Sequence, residues 1–227
     1  MTTLILHHCV SARSFRPLWL LEELGAPYQL LMLPFPPRAV AKSFLNDNPL
    51  GTVPLLEDGA VRMTESAAIC QYLAARHGDG ALDVAPADPA YGAYLNALHQ
   101  GEATLTFPQT LVLRYRHFEP PEQRLPAVAD GYARWFLARL RWLENGLQQQ
   151  PDFACANRFT AADVSLGYAL MVGDYLGLAP QFPQAVGRYW AGLQQRPAYQ
   201  RALQTQYQAA VDQGVPTTPT PLLRPFD

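Results

Sequence analysis

Asn48-Pro49-Leu50-Gly51-Thr52-Val53-Pro54-Leu55-Leu56 is followed, after Asp58-Gly59, by Val61-Arg62-Met63 and then Thr64-Glu65-Ser66. Two apolar runs flanking Asp-Gly predict a β-hairpin, Val53 to Leu56 and Val61 to Met63. A proline at the start of a strand that must pair is unusual, because it donates no ladder hydrogen bond. Two readings answer it. Pro54 sits on a plain edge strand, or the Val53-Pro54 peptide is cis and turns the Val53 backbone outward to pair with an extended, peptide-like ligand. Thr64 is expected to cap a helix carrying Ala68, Ile69, Tyr72 and Leu73.

Upstream, Leu4-Ile5-Leu6 reads as a short strand and Tyr28 to Leu33 as a second one. Between them Ser14 is placed to cap a helix that has Pro17 in its first turn, presents Leu18, Leu21 and Leu24 on one face and stops at Gly25. Strand, helix, strand in this order predicts a right-handed parallel unit. With Phe44 in a second helix, the order βαβ, α, ββα makes residues 1–77 a small α/β domain. Residues 78–88, with Gly78, Gly80, Pro86 and Asp88, read as a linker. From 89 to 211 the apolar spacing is helical throughout. Tyr94, Leu98, Leu105 and Leu111 suggest a long helix that tolerates one break near Pro108, and Glu122 to Gln149 a second. Thr160 and Asp163 form a carboxylate version of the capping box, with Phe159 as its staple, and open a third. Shorter helices are expected at Phe182 to Gln195 and Pro197 to Val211, then an irregular tail over 212–227. The fold class is therefore an α/β domain followed by an all-α domain.

Composition narrows the function. Of 227 residues, 49% are hydrophobic and 16% charged, which excludes wholesale disorder. Lys plus Arg total 17 against 19 Asp plus Glu, a net charge of −2 that draws the chain toward neither nucleic acid nor anionic lipid. Three widely spaced cysteines, Cys9, Cys70 and Cys155, make no disulfide framework and no zinc ribbon. Neither a basic leader nor a membrane-length apolar run is evident, so a cytoplasmic protein with no membrane partner is expected.

Three ordered segments, Ser11-Ala12-Arg13-Ser14-Phe15-Arg16-Pro17-Leu18-Trp19-Leu20-Leu21-Glu22-Glu23-Leu24-Gly25, Asn48-Pro49 to Val53-Pro54, and Glu65-Ser66-Ala67-Ala68-Ile69, together resemble the cytosolic glutathione S-transferase family, in its bacterial, serine-type form. The resemblance is strong over residues 1–77 and looser over 89–205, where Phe159 to Asp163 looks like the family's helical-domain capping motif. It implies a thioredoxin-like first domain that binds glutathione as co-substrate and an all-helical second domain. It also implies a cis Pro54, a Val53 backbone paired with the cysteinyl part of glutathione, Glu65 and Ser66 on its γ-glutamyl end, a small hydrophobic electrophile and a homodimer.

The residues themselves support parts of this. Ser66 in the first turn of a helix suits a carboxylate, through unpaired backbone donors and the positive end of the dipole, and Glu65 offers a countercharge for an ammonium. Plain capping beside Thr64 is the alternative. Conjugation needs a thiolate, and lowering a thiol pKa from about 8.5 by about two units takes roughly 2.7 kcal/mol. One hydroxyl hydrogen bond to a charged acceptor, about 1.5–3 kcal/mol, with about 0.3–1 kcal/mol from a helix N-terminus, is sufficient. Ser11, 14 positions before Gly25, stands where the serine-type transferases carry their activating serine. Ser14 competes, although its oxygen is expected to cap the helix backbone, and Arg13 adds a nearby cation. Cys9 is the alternative nucleophile, for thiol-disulfide or peroxidase chemistry, unless it is buried and inert. His7 and Cys9 share a strand face but lack the further ligands zinc wants, so no metal is expected. Arg38 and Lys42 are the nearest cations for the glycine carboxylate. Leu105, Phe107, Leu111, Tyr115 and Phe118 are candidates for the electrophile pocket, with core packing as the alternative for most of them. A noncatalytic glutathione-binding scaffold is the third functional reading.

Overall fold

The computed structural model describes residues 3–224, so the last three residues of the expected tail lie outside it. Residues 3–80 with 196–220 form one compact unit, and 81–195 with 221–224 another.

In the first unit β1 (Leu4–His8), α1 (Phe15–Leu24) and β2 (Tyr28–Met32) make the expected parallel βαβ, with Leu6 opposite Leu30. The short α2 (Pro37–Val40) and a 3-10 turn over Lys42–Asn46 follow, so Phe44 lies in that turn and not in an α-helix. β3 (Leu55–Asp58) runs antiparallel to β1 with Leu56 opposite Leu6, and β4 (Val61–Met63) pairs with β3. The sheet order is β2-β1-β3-β4. The hairpin's first strand starts at Leu55 and not at Val53, since Pro54 has no N–H for the ladder. α3 (Ser66–His77) has Glu65 at its N-cap with no side-chain bond, which corrects the cap expected from Thr64. α1 ends as expected, with Gly25 at φ +61° and its N–H on the Leu21 carbonyl. Leu6, Leu18, Leu21, Leu56, Ile69 and Leu73 are fully buried where the sheet meets α1 and α3, each contributing about 1.5–3 kcal/mol of transfer free energy.

The second unit is helical: α4 (Tyr91–His99), α5 (Phe107–Leu113), α6 (Pro126–Gln149), α7 (Ala161–Tyr175) and α8 (Gln184–Gln194). The tolerated interruption near Pro108 takes the form of a π-helical stretch between α4 and α5. A π-helical stretch over Gln100–Thr106 precedes the proline, and its wider turn accommodates a residue that cannot continue the ordinary ladder. Thr106 Oγ1 donates to the Gly101 carbonyl at 2.7 Å inside that stretch, and a second π turn follows over Arg114–Phe118. α6 opens at Pro126, later than the expected Glu122, because a first-turn proline gives up no bond. The capping box of α7 is formed: Asp163 Oδ2 accepts the Thr160 N–H at 2.8 Å, and Thr160 Oγ1 accepts the Ala162 N–H at 3.3 Å.

α9 (Pro197–Asp212) packs on α1 and β2, so the last helix joins the first unit and not the helical domain to which its periodicity assigns it. Arg196 grips Glu23 through Nε and an Nη at 2.6 and 2.8 Å, and Arg201 Nε meets Glu22 at 3.1 Å. Just beyond α9, Gln213 accepts the Met32 N–H at 2.8 Å and donates to the Leu30 carbonyl at 2.9 Å, which closes the outer edge of β2. The tail is also less irregular than expected, with the Thr220 N–H on the Val10 carbonyl at 2.9 Å and a 3-10 turn at Thr220–Leu222. Among the described residues no helix is long and apolar enough to cross a membrane.

Buried Asp163 also accepts from the Tyr189 hydroxyl at 2.7 Å and the Ala154 N–H at 2.8 Å. Asp163→Ala is therefore expected to lower stability to urea by about 3 kcal/mol, by leaving these donors unmet, and Tyr189→Phe by about 1 kcal/mol. Equal midpoints for Asp163→Ala and the parent would show that the box bears no load.

Candidate functional site

Three segments separated in sequence meet at one end of the first unit's sheet. Ala12, in the turn between β1 and α1, packs in one apolar cluster with Val53, Cys9, Phe44 and Leu55. Arg16, in the first turn of α1, donates from Nη1 to Ser66 Oγ at 3.1 Å, so the first turns of α1 and α3 are in contact. The N-terminal turns of two helices, of 10 and 12 residues, are thus held together, and each carries the positive end of a helix dipole. The Val53-Pro54 peptide is cis, as is Phe35-Pro36, which the sequence did not suggest. Among the described residues no hydrogen bond engages the Val53 backbone. The loop ahead of it is fixed by Asn48, whose Nδ2 donates to the Thr52 carbonyl at 2.8 Å while its Oδ1 accepts the Leu50 N–H at 3.1 Å. Gly51, at φ +59°, has no room for a side chain, because a Cβ there would stand 2.7 Å from Arg38 Cβ.

Ser11 departs from its expectation. It is fully buried, sits at φ +55°, and its hydroxyl is not open to a ligand but accepts from Gln206 Nε2 of α9 at 3.2 Å. Gln206 Oε1 accepts the Ser11 N–H at 2.8 Å. A backbone N–H only donates, so this bond fixes which end of the carboxamide is oxygen. His8 Nε2, 3.0 Å from the same oxygen, must then carry the imidazole proton. His8 Nδ1 is left to accept from Ser14 Oγ at 2.7 Å, and Ser14 Oγ accepts the Cys9 N–H at 3.3 Å. Ser14 therefore spends its oxygen on the end of the strand and not on the helix backbone, against expectation. Burial pushes the His8 pKa down to about 4, consistent with a neutral ring in this network.

Cys9 is buried with its Sγ on the Pro34 carbonyl at 3.8 Å, and desolvation pushes its thiol pKa well up, so it offers no thiolate. His7 Nε2 meets Glu57 Oε1 at 2.8 Å and Cys9 faces Pro34, so the two make no ligand pair. Among the described residues no group of three or more His, Cys, Asp or Glu is placed to hold a metal. Arg13 is half-buried beside Ala12, Ser66 is buried, and Glu65 is exposed. Arg38 on α2 and Lys42 at the start of the 3-10 turn are both exposed. In the second unit Leu105 is 2% exposed and belongs to the core, which removes it from the candidate pocket, whereas Phe107 is 50% exposed. Leu111, Tyr115 and Phe118 are half-buried.

Sequence reasoning missed three residues. Arg16 carries a weak signal, a lone cation inside the apolar run Phe15 to Leu21, all of which is buried. His8 was assigned no role. Gln206 carries none, since a glutamine in a surface-spaced helix reads as solvent-facing and its partner lies 195 positions away.

Residues 2–75 match the family model described as "Glutathione S-transferase, N-terminal domain". The chain is 35% identical over 75 residues to glutathione S-transferase 3 of Schizosaccharomyces pombe, covering 33% of this chain and 31% of that protein. It is 30% identical over 134 residues to glutathione S-transferase 2 of Anopheles gambiae, covering 59% and 62%. The match therefore spans less than two thirds of either curated relative. Among solved structures, Ure2p5 of Phanerochaete chrysosporium, cocrystallized with 1-(S-glutathionyl)-2,4-dinitrobenzene, superposes with a TM-score of 0.79 at 22% identity, over 93% of this chain and 97% of that one. Residues 2–75 thus match the glutathione S-transferase N-terminal domain, and the chain has the fold of glutathione S-transferase structures, a thioredoxin-like domain followed by a helical one.

Proposed function

We propose that the chain binds glutathione where Val53, Ser66 and the turn at Ala12-Arg13 meet, and transfers its sulfur to small hydrophobic electrophiles. The observation that carries this reading is the Val53 backbone, which has no hydrogen bond among the described residues and shares an apolar cluster with Ala12 of the turn before α1. An extended tripeptide suits it: the Val53 N–H and carbonyl pair with the cysteinyl amide as an added strand. The γ-glutamyl carboxylate goes to the first turn of α3. Ser66 Oγ already accepts from Arg16, so its own proton is the one to donate there, and exposed Glu65 meets the ammonium. Arg38 and Lys42 attract the glycine carboxylate.

The cysteinyl sulfur then lies against Ala12-Arg13 at the N-terminus of α1. The dipole supplies about 0.3–1 kcal/mol and a charged hydrogen bond from Arg13 about 1.5–3 kcal/mol, enough to lower the thiol pKa by about two units. With Ser11 buried, Arg13 takes the role that the sequence gave to the serine hydroxyl. The thiolate attacks the electrophilic carbon, a C–S bond forms, the leaving group departs with its bonding pair, and the thiol proton passes to water. The family resemblance assigns the electrophile to the helical domain, where Phe107 is exposed and Leu111, Tyr115 and Phe118 are half-buried. The structural neighbour that carries a glutathionyl dinitrobenzene supports an aryl halide as first substrate to try. Cys9 chemistry loses support from its burial and its raised thiol pKa. The burial of Ser11 favours one second reading, a protein that binds glutathione without ionising it. Resemblance to the family also supports a homodimer.

Titrating the thiolate ultraviolet absorbance of bound glutathione separates the two readings: ionisation below neutral pH is expected, and a value near that of free glutathione would leave a binding protein only. Arg13→Ala is expected to raise that midpoint and lower turnover with 1-chloro-2,4-dinitrobenzene by about tenfold to a hundredfold, about 1.4–2.7 kcal/mol in the barrier. Cys9→Ala should leave turnover intact. A larger loss in Ser11→Ala than in Arg13→Ala would return the thiol to the serine. Ser66→Ala is expected to weaken glutathione binding by about 1–2 kcal/mol in calorimetry, and unchanged affinity would reduce Ser66 to helix capping.

A further inference from the structure

The carboxamide of Gln206 enters the turn between β1 and α1 from the far end of the chain, beside the Thr220 N–H that reaches the Val10 carbonyl of the same turn at 2.9 Å. Every polar atom of that amide is used there: Oε1 accepts from the Ser11 N–H at 2.8 Å and from His8 Nε2 at 3.0 Å, and Nε2 donates to Ser11 Oγ at 3.2 Å. Gln206, Ser11, His8 and Ser14 are all buried, so each bond lost leaves a polar atom without water to replace it. Ser11 stands at φ +55°, a backbone conformation an L side chain adopts only when its surroundings hold it, and Gln206 bonds it on both sides of its Cα. Ala12 and Arg13 follow directly, and Ala12 shares an apolar cluster with Val53. The helix that carries Gln206 is itself anchored: Arg196 and Arg201 tie it to Glu23 and Glu22 of α1, and Gln213 ties its end to β2. α9 is thus fixed to the body of the unit on both sides of the amide.

We propose that Gln206 is the positioning residue of the thiol-binding turn, and that through it the last helix sets where Ala12 and Arg13 stand against Val53. The inference rests on the reading that this turn takes the glutathione thiol. Gln206 touches no substrate. It acts by holding Ser11, so its removal lets the turn relax from its left-handed conformation and moves the Arg13 cation and the α1 N-terminus away from the sulfur. The energy of the site is then lost on the thiol and kept on the tripeptide backbone, whose contacts at Val53 and Ser66 lie on other segments.

Gln206→Met keeps the length and removes the amide, and Gln206→Glu keeps an acceptor but adds negative charge beside the turn. Gln213→Met is the control, because it lies on the same C-terminal segment and bonds only β2. The three are compared with the parent for folding by circular dichroism, for affinity toward S-methylglutathione, which has no thiol to ionise, and for the pH at which bound glutathione ionises. Gln206→Met is expected to bind S-methylglutathione within about threefold of the parent and to lower kcat/KM at pH 7 by about tenfold, with the deficit closing as the pH rises and the thiol ionises unaided. Gln206→Glu should shift the ionisation midpoint in the same direction, and Gln213→Met should match the parent in all three. If Gln206→Met does not fold, Gln206→Glu carries the test alone. A folded Gln206 variant with the parent's ionisation midpoint overturns the inference. Failure of the parent itself to ionise bound glutathione overturns instead the reading on which it rests.

Discussion

Pro54 has no N–H, and the pairing of β1 with β3 stops where His7 faces Leu55. That missing donor is the constraint from which the rest of the candidate site follows. A strand that continued through Val53 would spend its N–H and carbonyl inside the sheet. Here the Val53 backbone leaves the ladder, and Asn48 and Gly51 hold the preceding loop in the one path that brings it beside the turn after β1. The two helix N-termini are held together by a contact of their own, the Arg16 guanidinium on Ser66. An unpaired backbone edge at Val53 and the joined helix N-termini thus arise from separate features of the sequence.

A second layer of order lies beneath this surface. The His8, Ser14, Gln206 and Ser11 network has one consistent arrangement of protons, forced by the Ser11 N–H. With the His8 pKa pushed down to about 4, the ring stays neutral and that arrangement persists through the neutral range. Buried networks of this kind are costly when half satisfied and rigid when complete. The Ser11 hydroxyl faces inward to Gln206, so it fixes the turn that carries Ala12 and Arg13.

Much of this was legible in the residues. Asp58-Gly59 between apolar runs marked the hairpin, Gly25 marked the end of α1, and Thr160 with Asp163 marked the start of α7, because each is local chemistry confined to a few positions. Pro54 in a pairing position pointed to the cis peptide for the same reason. Legibility failed where the deciding partner is distant. Helical periodicity identified α9 but not its place against α1 and β2, since an apolar stripe says that a helix is covered and not by what. Ser11 read as a free hydroxyl because nothing near it in sequence hinted at Gln206, and Ser14 read as a cap because the competing acceptor, the ring of His8, belongs to the strand. Pro108 marked an interruption of the long helix, but nothing local to it showed that a π turn over Gln100–Thr106 would absorb it.

The most direct measurement is amide hydrogen exchange at Val53, followed by NMR with and without glutathione. The Val53 N–H has no hydrogen-bond partner among the described residues, so it is expected to exchange faster than the neighbouring Leu55 and Leu56 amides of β3, and to slow by at least tenfold when glutathione is added. An exchange rate at Val53 that does not change at saturating glutathione would contradict the account, because the tripeptide would then bind elsewhere or not as an added strand.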